Sequence, residues 1–146
     1  MSKLLKLNKK VICAVFVITD LFCIGMGMGV PIFCILYGFF VGWYITRRVM
    51  ISTKEIKILL GRIFRYAVVT SGFTFIVMAV LWGMTIPMLF DPNADFENFG
   101  HPYILYDPKL SFIGWLVLMI FISPFLQLLT TVFAAFVTLM LKIKEI

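Results

Sequence analysis

The chain reads as an all-α, polytopic integral membrane protein: a four-transmembrane-helix bundle with its N- and C-termini cytoplasmic. Three observations carry that reading. Of the 146 residues, 62% are hydrophobic and 14% charged, against about 45–50% and about 25% in ordinary soluble domains. Charged residues divide the chain into four apolar stretches, and every lysine and arginine except Lys109 falls on one side of them. A soluble globule of this length leaves roughly a third of its unfolded surface in water, so it cannot hide so much apolar area. Disorder needs the opposite composition. No polar segment approaches the ~50 residues of an independent soluble domain, so residues 1–146 are expected to form a single transmembrane domain.

The first span, 11–28, follows Lys9-Lys10 and is interrupted only by Asp20. Gly25, Gly27, Gly29 and Pro31 then form a cluster of helix breakers. The second span, 31–46, stops at Arg47-Arg48. Both are a little short of the ~20 residues that cross a hydrocarbon core. They are read as a full hairpin rather than a re-entrant pair; either arrangement puts both ends on the same, basic side. A cleaved signal peptide is disfavoured, because the run is long and no A-x-A-like site follows it. Cys23 also lacks the small preceding residue of a lipidated cysteine, since Asp20-Leu21-Phe22 stands there.

Ser52-Thr53-Lys54-Glu55 has the form of a capping box, in which hydroxyl and carboxylate satisfy orphan N–H groups. Ile56, Leu59, Leu60 and Ile63 follow at the spacing of one apolar helix face, with Lys54, Lys57, Arg62 and Arg65 on the polar side. The expectation is a cytoplasmic amphipathic helix, 53–62, leading into a third span, 63–90, with a bend near Gly61. It rests on anionic headgroups, each basic residue contributing about 1 kcal/mol, or it docks a partner. The net charge of +6 therefore needs no nucleic acid; a lipid bilayer with anionic headgroups on the cytoplasmic side accounts for it.

Residues 91–110 carry Asp91, Asp95, Glu97 and Asp107 against Lys109 and are read as an extracytoplasmic loop. A fourth span, 111–141, returns the chain to Lys142 and Lys144. By the positive-inside rule the basic side is cytoplasmic, giving a multi-pass protein of the cell membrane.

Asp20 lies near the centre of the first span, where an exposed carboxylate costs ~2.5–3.5 kcal/mol on insertion scales; it must face protein or water. A symmetric turn between Met28 and Gly29 sets Tyr37 opposite Asp20, as a donor to it, and Cys34 opposite Cys23. Pro124, after Ser123, is expected to kink the fourth span and free a carbonyl, and Gln127 lies one turn beyond. Asp20, Tyr37 and Gln127 are thus expected as a mid-membrane polar cluster. Its readings are interhelical glue, a proton- or cation-coupling site, or a contact with another subunit.

Gly38 and Gly42 form a GxxxG helix-packing face, and Gly25 with Gly29 a second. Thr131 with Ala135, and Ala134 with Thr138, give small-residue faces in the fourth span that let backbones approach closely. Trp43, Tyr44, Trp82, Tyr103, Tyr106 and Trp115 lie toward span ends, as interfacial belts require. The three cysteines form no CxxC, which disfavours disulfide exchange. Cys23 and Cys34 are read as buried thiols or as a pair meeting across the hairpin.

In the loop, Asp91, Asn93, Asp95 and Glu97 alternate as in the first half of a calcium loop. Phe96 and Pro102 then stand where Gly and Glu are needed. The segment is a weak cation site or a solvated acidic loop whose Phe96, Phe99, Tyr103 and Tyr106 settle on the membrane interface or on a partner. His101, the single histidine, is too few for a zinc cluster. No catalytic constellation, resident metal or cofactor is expected. The chain is expected to be a non-enzymatic subunit or accessory component of a membrane complex, with a membrane-protein partner or self-association. The alternative is a small oligomeric transporter or channel using Asp20.

Overall fold

The computed structural model describes residue 5 and residues 7–27, 30–53 and 55–144, of which residues 143 and 144 are described in their backbone alone. All regular structure among them is helical. The order is α1 (Lys9–Met26), α2 (Ile32–Ser52), α3 (Ile56–Gly83), a 3-10 turn (Ile86–Phe90), α4 (Pro108–Val117), a π turn (Leu118–Ile122) and α5 (Ser123–Lys144). The last three abut. Three stretches, Ile32–Ser52, Ile56–Gly83 and Pro108–Lys142, are long and apolar enough to cross a membrane, which is consistent with a multi-pass membrane protein. The turn centre at Met28 and Gly29, and Lys54 of the expected capping box, lie outside the described residues.

Helix α1 starts behind Asn8, whose side chain accepts from the Lys10 N–H at 3.3 Å. Its 18 residues include Lys9, Lys10 and Asp20. Helix α2 does not stop at residue 46; it runs through Arg47-Arg48 to Ser52. Charge marks where hydrocarbon ends, not where a helix ends, because a long basic side chain reaches polar surroundings from a helical position. Arg47 lies over the Trp43 ring at 5.5 Å, and the Arg48 Nη1 donates to the Tyr44 hydroxyl at 3.2 Å.

The expected capping box does not form. Ser52 belongs to the last turn of α2, where its hydroxyl donates to the Val49 carbonyl at 2.8 Å. Glu55 occupies the cap position of α3 without a side-chain cap bond. The residues expected as an amphipathic helix leading into a third span form one helix, Ile56–Gly83, with no break at Gly61. Arg62 of this helix donates to Ser52 Oγ at 3.2 Å, fastening the α2–α3 corner. The helix also ends earlier than residue 90. The Thr85 hydroxyl bonds the Trp82 carbonyl at 2.6 Å, and Pro87, which has no N–H, sits in the 3-10 turn that follows.

Asp107 caps α4 by accepting the Leu110 N–H at 2.8 Å, with Pro108 at the first helical position; both are favoured there. The fourth apolar stretch therefore starts three residues earlier than expected. Upstream of Pro124 the ladder widens, and the Ser123 N–H bonds the Leu118 carbonyl five residues back. A proline ring presses on the carbonyl four residues before it. The wide turn relieves that pressure at Ile120 and lets the helix continue.

The core has two apolar clusters. At the end carrying the 91–107 loop, Ile24, Cys34, Met78, Phe112, Trp115, Leu116, Met119 and Ile120 pack together. At the basic end, Val49, Leu59, Ile63, Ala135 and Leu139 do so. Between them the most extensive helix–helix packing joins α2 to α5. A Cβ on Gly38 would overlap Thr130 Oγ1 and come within 2.7 Å of the Gln127 carbonyl; one on Gly42 would overlap the Thr131 carbonyl and lie 3.0 Å from Ala134 Cβ. The Thr130 hydroxyl donates across this contact to the Ile35 carbonyl at 2.8 Å. Gly25, by contrast, faces open space. Trp82 and Trp115 stack edge to face at 4.7 Å, and Trp115 is buried, so these two close the loop end of the core instead of joining a belt.

The obstruction at Gly42 is backbone, which cannot rotate away. Gly42→Leu is expected to lower unfolding stability in detergent by about 1–3 kcal/mol or more. Gly72→Ala, at a helical glycine with nothing within 4 Å, is expected to be neutral or stabilising by up to ~1 kcal/mol. Thermal unfolding of both variants checks the pair.

Candidate functional site

Each helix that carries the two apolar clusters changes character between them. On α3, Ser71 and Thr74 separate Ile63 from Met78. On α5, Ser123, Gln127 and Thr131 separate Ile120 from Ala135. On α1, Asp20 precedes Ile24. All six polar residues are buried. Ser123, Gln127 and Thr131 recur at i, i+4, i+8, and Ser71 with Thr74 at i, i+3, so each set occupies one helix face.

Asp20 joins three helices. The Thr74 hydroxyl of α3 donates to Asp20 Oδ2 at 2.8 Å, and the Gln127 amide of α5 donates to Oδ1 at 3.1 Å. Both donors are neutral. Asp20 and Gln127 of the expected cluster therefore meet. Tyr37 does not donate to Asp20: its hydroxyl bonds the Thr19 side chain, and its ring stacks on Phe16 at 5.9 Å. The difference from a symmetric hairpin is one residue in register, but one residue turns a helix by about 100°. Thr19 faces α2, Phe16 lies between Tyr37 of α2 and Phe73 of α3, and Asp20 faces α3 and α5.

Thr74 is the partner of Asp20 that periodicity alone leaves unmarked. Its signal is the polar Ser71–Thr74 step inside an otherwise apolar span. The hydroxyls of the layer divide into two kinds. Thr46 and Thr131 return their O–H to the carbonyl one turn back, Gly42 at 2.8 Å and Gln127 at 2.7 Å, as threonines in helices do. Ser71 Oγ, Ser123 Oγ and Gln127 Oε1 are buried without a partner.

Cys23 and Cys34 are free thiols, Cys34 buried within the loop-end cluster and Cys23 packed against it. In the loop, the carboxylates expected as a cation site cap their own backbone instead. Asp91 accepts the Asn93 N–H at 2.9 Å; Asp95 accepts the Asn98 N–H at 3.1 Å and its side-chain amide at 2.6 Å. Among the described residues no three His, Cys, Asp or Glu side chains gather, so Asp91, Asp95 and Glu97 do not converge. The Asn98 donors hold the Asp95 carboxyl below its ordinary value of 3.8. The help this turn gives the loop is complete above that value and is lost as pH falls through the lower folded one.

The aromatic residues of the loop part company. Phe96 and Phe99 pack inward on Phe112 at 5.2 and 5.0 Å, and His101 is buried among Phe99, Phe112 and Trp115. Gly100, at φ +82, supplies the left-handed turn between them. Ser111 Oγ, accepting the Ile104 N–H at 2.6 Å, pins the next residues to α4. Tyr103, Ile104, Leu105 and Tyr106 then turn outward around a surface hollow of about 460 Å³.

No family model, curated protein or solved structure matches the chain. Thr74→Val leaves the Asp20 carboxyl with one partner and is expected to cost about 1 kcal/mol, within the range of interhelical hydrogen bonds in membranes. Chemical unfolding in bicelles measures it. A cost above ~3 kcal/mol or none at all would show that the bond's worth is set by something other than this pairing.

Proposed function

We propose that the chain is a four-crossing protein of the cell membrane, with both termini cytoplasmic, that serves non-enzymatically as a subunit or accessory component of a membrane complex. The observation that carries the reading is the enclosure of Asp20. The carboxyl inside the apolar bundle is fully buried, with each oxygen bonded to a neutral group on another helix. That is the geometry of an interhelical clasp; a coupling carboxylate in a transporter needs access to a pathway. The clasp also supports α1 as the fourth crossing, since it ties α1 near the middles of α3 and of the Pro108–Lys142 stretch. Val11, Val15, Ile18, Leu21 and Phe22 are exposed on α1 and suit a lipid environment.

The charge distribution supports the orientation. The basic end meets anionic headgroups through Arg47, Arg48, Lys57, Arg62 and Arg65, and the acidic loop lies outside. The Gly38–Gly42 face is occupied by α5 of the same chain, so contact with a partner falls elsewhere. The outward Tyr103–Tyr106 run is the contact proposed here, on a connection longer than a passive turn requires.

Two experiments test this. A cysteine at Asn93 is expected to react with an impermeant thiol reagent in intact cells, and one at Thr53 only after permeabilisation; the reverse pattern overturns the orientation. Cross-linking in native membranes, followed by mild-detergent purification, is expected to recover the chain with a stoichiometric companion. That yield should fall several-fold in a Tyr103→Ser, Tyr106→Ser double variant at equal chain levels. Recovery of the chain alone overturns the subunit reading.

A further inference from the structure

The basic residues set the height of each part of the bundle relative to Asp20. Lys10 stands ten residues before Asp20 on α1, Arg62 twelve before Thr74 on α3, and Lys142 fifteen after Gln127 on α5. At ~1.5 Å per residue they lie about 15–22 Å to one side, where a hydrocarbon core ~30 Å thick has given way to headgroups. Ser111 stands sixteen residues before Gln127 on the other side. That is about 22–24 Å from the same level, with the usual ~20° of tilt allowed for. Headgroups extend only to about 20–22 Å from the middle of a bilayer. Ser111 Oγ holds the loop at this height, accepting the Ile104 N–H at 2.6 Å and the Leu105 N–H at 3.4 Å and donating to the Pro102 carbonyl at 3.3 Å. Tyr103, Ile104, Leu105 and Tyr106 are each at least half exposed there, around the hollow of about 460 Å³.

Acyl chains do not reach this height, so lipid cannot cover the run, and an apolar surface held open in water marks a protein contact. The same loop carries Asp91, Asp95, Glu97 and Asp107, all exposed, and no lysine or arginine between residues 91 and 107. A surface that matches it brings apolar side chains for the hollow and positive charge for the carboxylates around it. A second copy of this chain would bring like charges together instead. We infer that the companion is met beyond the lipid, through an extracytoplasmic segment of its own that seats an apolar anchor in the Tyr103–Tyr106 hollow and sets basic residues against the acidic loop. The faces of the bundle within the hydrocarbon are left to lipid. This rests on the subunit reading and on its orientation, and names the part of the partner that the chain recognises.

The test is photo-cross-linking of the full chain in native membranes, with benzoylphenylalanine placed either at Tyr106 or at Ile76, which is exposed on α3 two residues beyond Thr74. The probe at Tyr106 is expected to capture a companion, and protease added outside intact cells is expected to release the captured segment. The probe at Ile76 is expected to capture lipid alone. Raising the salt concentration before illumination is expected to lower the Tyr106 yield several-fold, as screening of opposite charges requires. Leu105→Asp, at a half-exposed side chain on the rim of the hollow, is expected to lower it by a similar factor at unchanged chain levels. Capture of a companion from Ile76 and not from Tyr106 overturns the inference and leaves the subunit reading standing. So does a Tyr106 adduct with a second copy of the chain, or a yield indifferent to both salt and Leu105→Asp. A companion captured from neither position overturns both readings.

Discussion

A carboxyl group placed in the middle of an apolar helix must find hydrogen-bond donors or remain in contact with water, and the arrangement of this bundle follows from that demand on Asp20. Helix α1 is the shortest of the three helices that meet there and carries two lysines at its start, so apolar burial alone fixes it weakly. Thr74 and Gln127 fix it instead, in depth and in rotation. Asp20 reaches both at once only if α1 packs against α3 and α5 with one face turned toward them. Thr19, one residue earlier, is then left for α2 and its Tyr37. The two apolar clusters lie on either side of this layer and exclude water from it, which strengthens each bond inside.

The contact between α2 and α5 solves a different problem with different residues. In lipid, apolar side chains gain little by leaving one hydrocarbon environment for another, so close packing and short polar contacts must hold helices together. Gly38 and Gly42 remove side chains where α5 comes nearest, and the Thr130 hydroxyl crosses to a backbone carbonyl. Thr46 and Thr131 satisfy themselves within their own helices and so fill the middle of the contact without leaving open valences. The serines at 71 and 123 lack that internal partner.

Much of this was legible from the residues. The Gly38–Gly42 spacing and the small face of the fourth apolar stretch are local patterns. They translate into a contact because both lie on helices of known period. Asp20 is marked by its cost in hydrocarbon, and Gln127 by being the amide nearest the middle of the last stretch. What was not legible depends on rotation and register. Tyr37 was the expected donor because a symmetric turn places it level with Asp20, and a shift of one residue swings it toward Thr19. Thr74 is an unremarkable threonine until α1 is turned to face it. Helix ends were also misplaced where charge stood in for termination. Arg47 and Arg48 sit within α2, whereas the stops are set at Ser52, Thr85 and Pro87 and the start of α4 by the Asp107 cap.

The donors to Asp20 lie 54 and 107 positions further along the chain. Synthesis proceeds from the N-terminus, so α1 is made long before either donor exists. During that interval its carboxyl has neither partner, and it gains the second only when α5 has been made. A chain interrupted after α3 would retain the Thr74 bond alone and leave the other carboxyl oxygen without its donor.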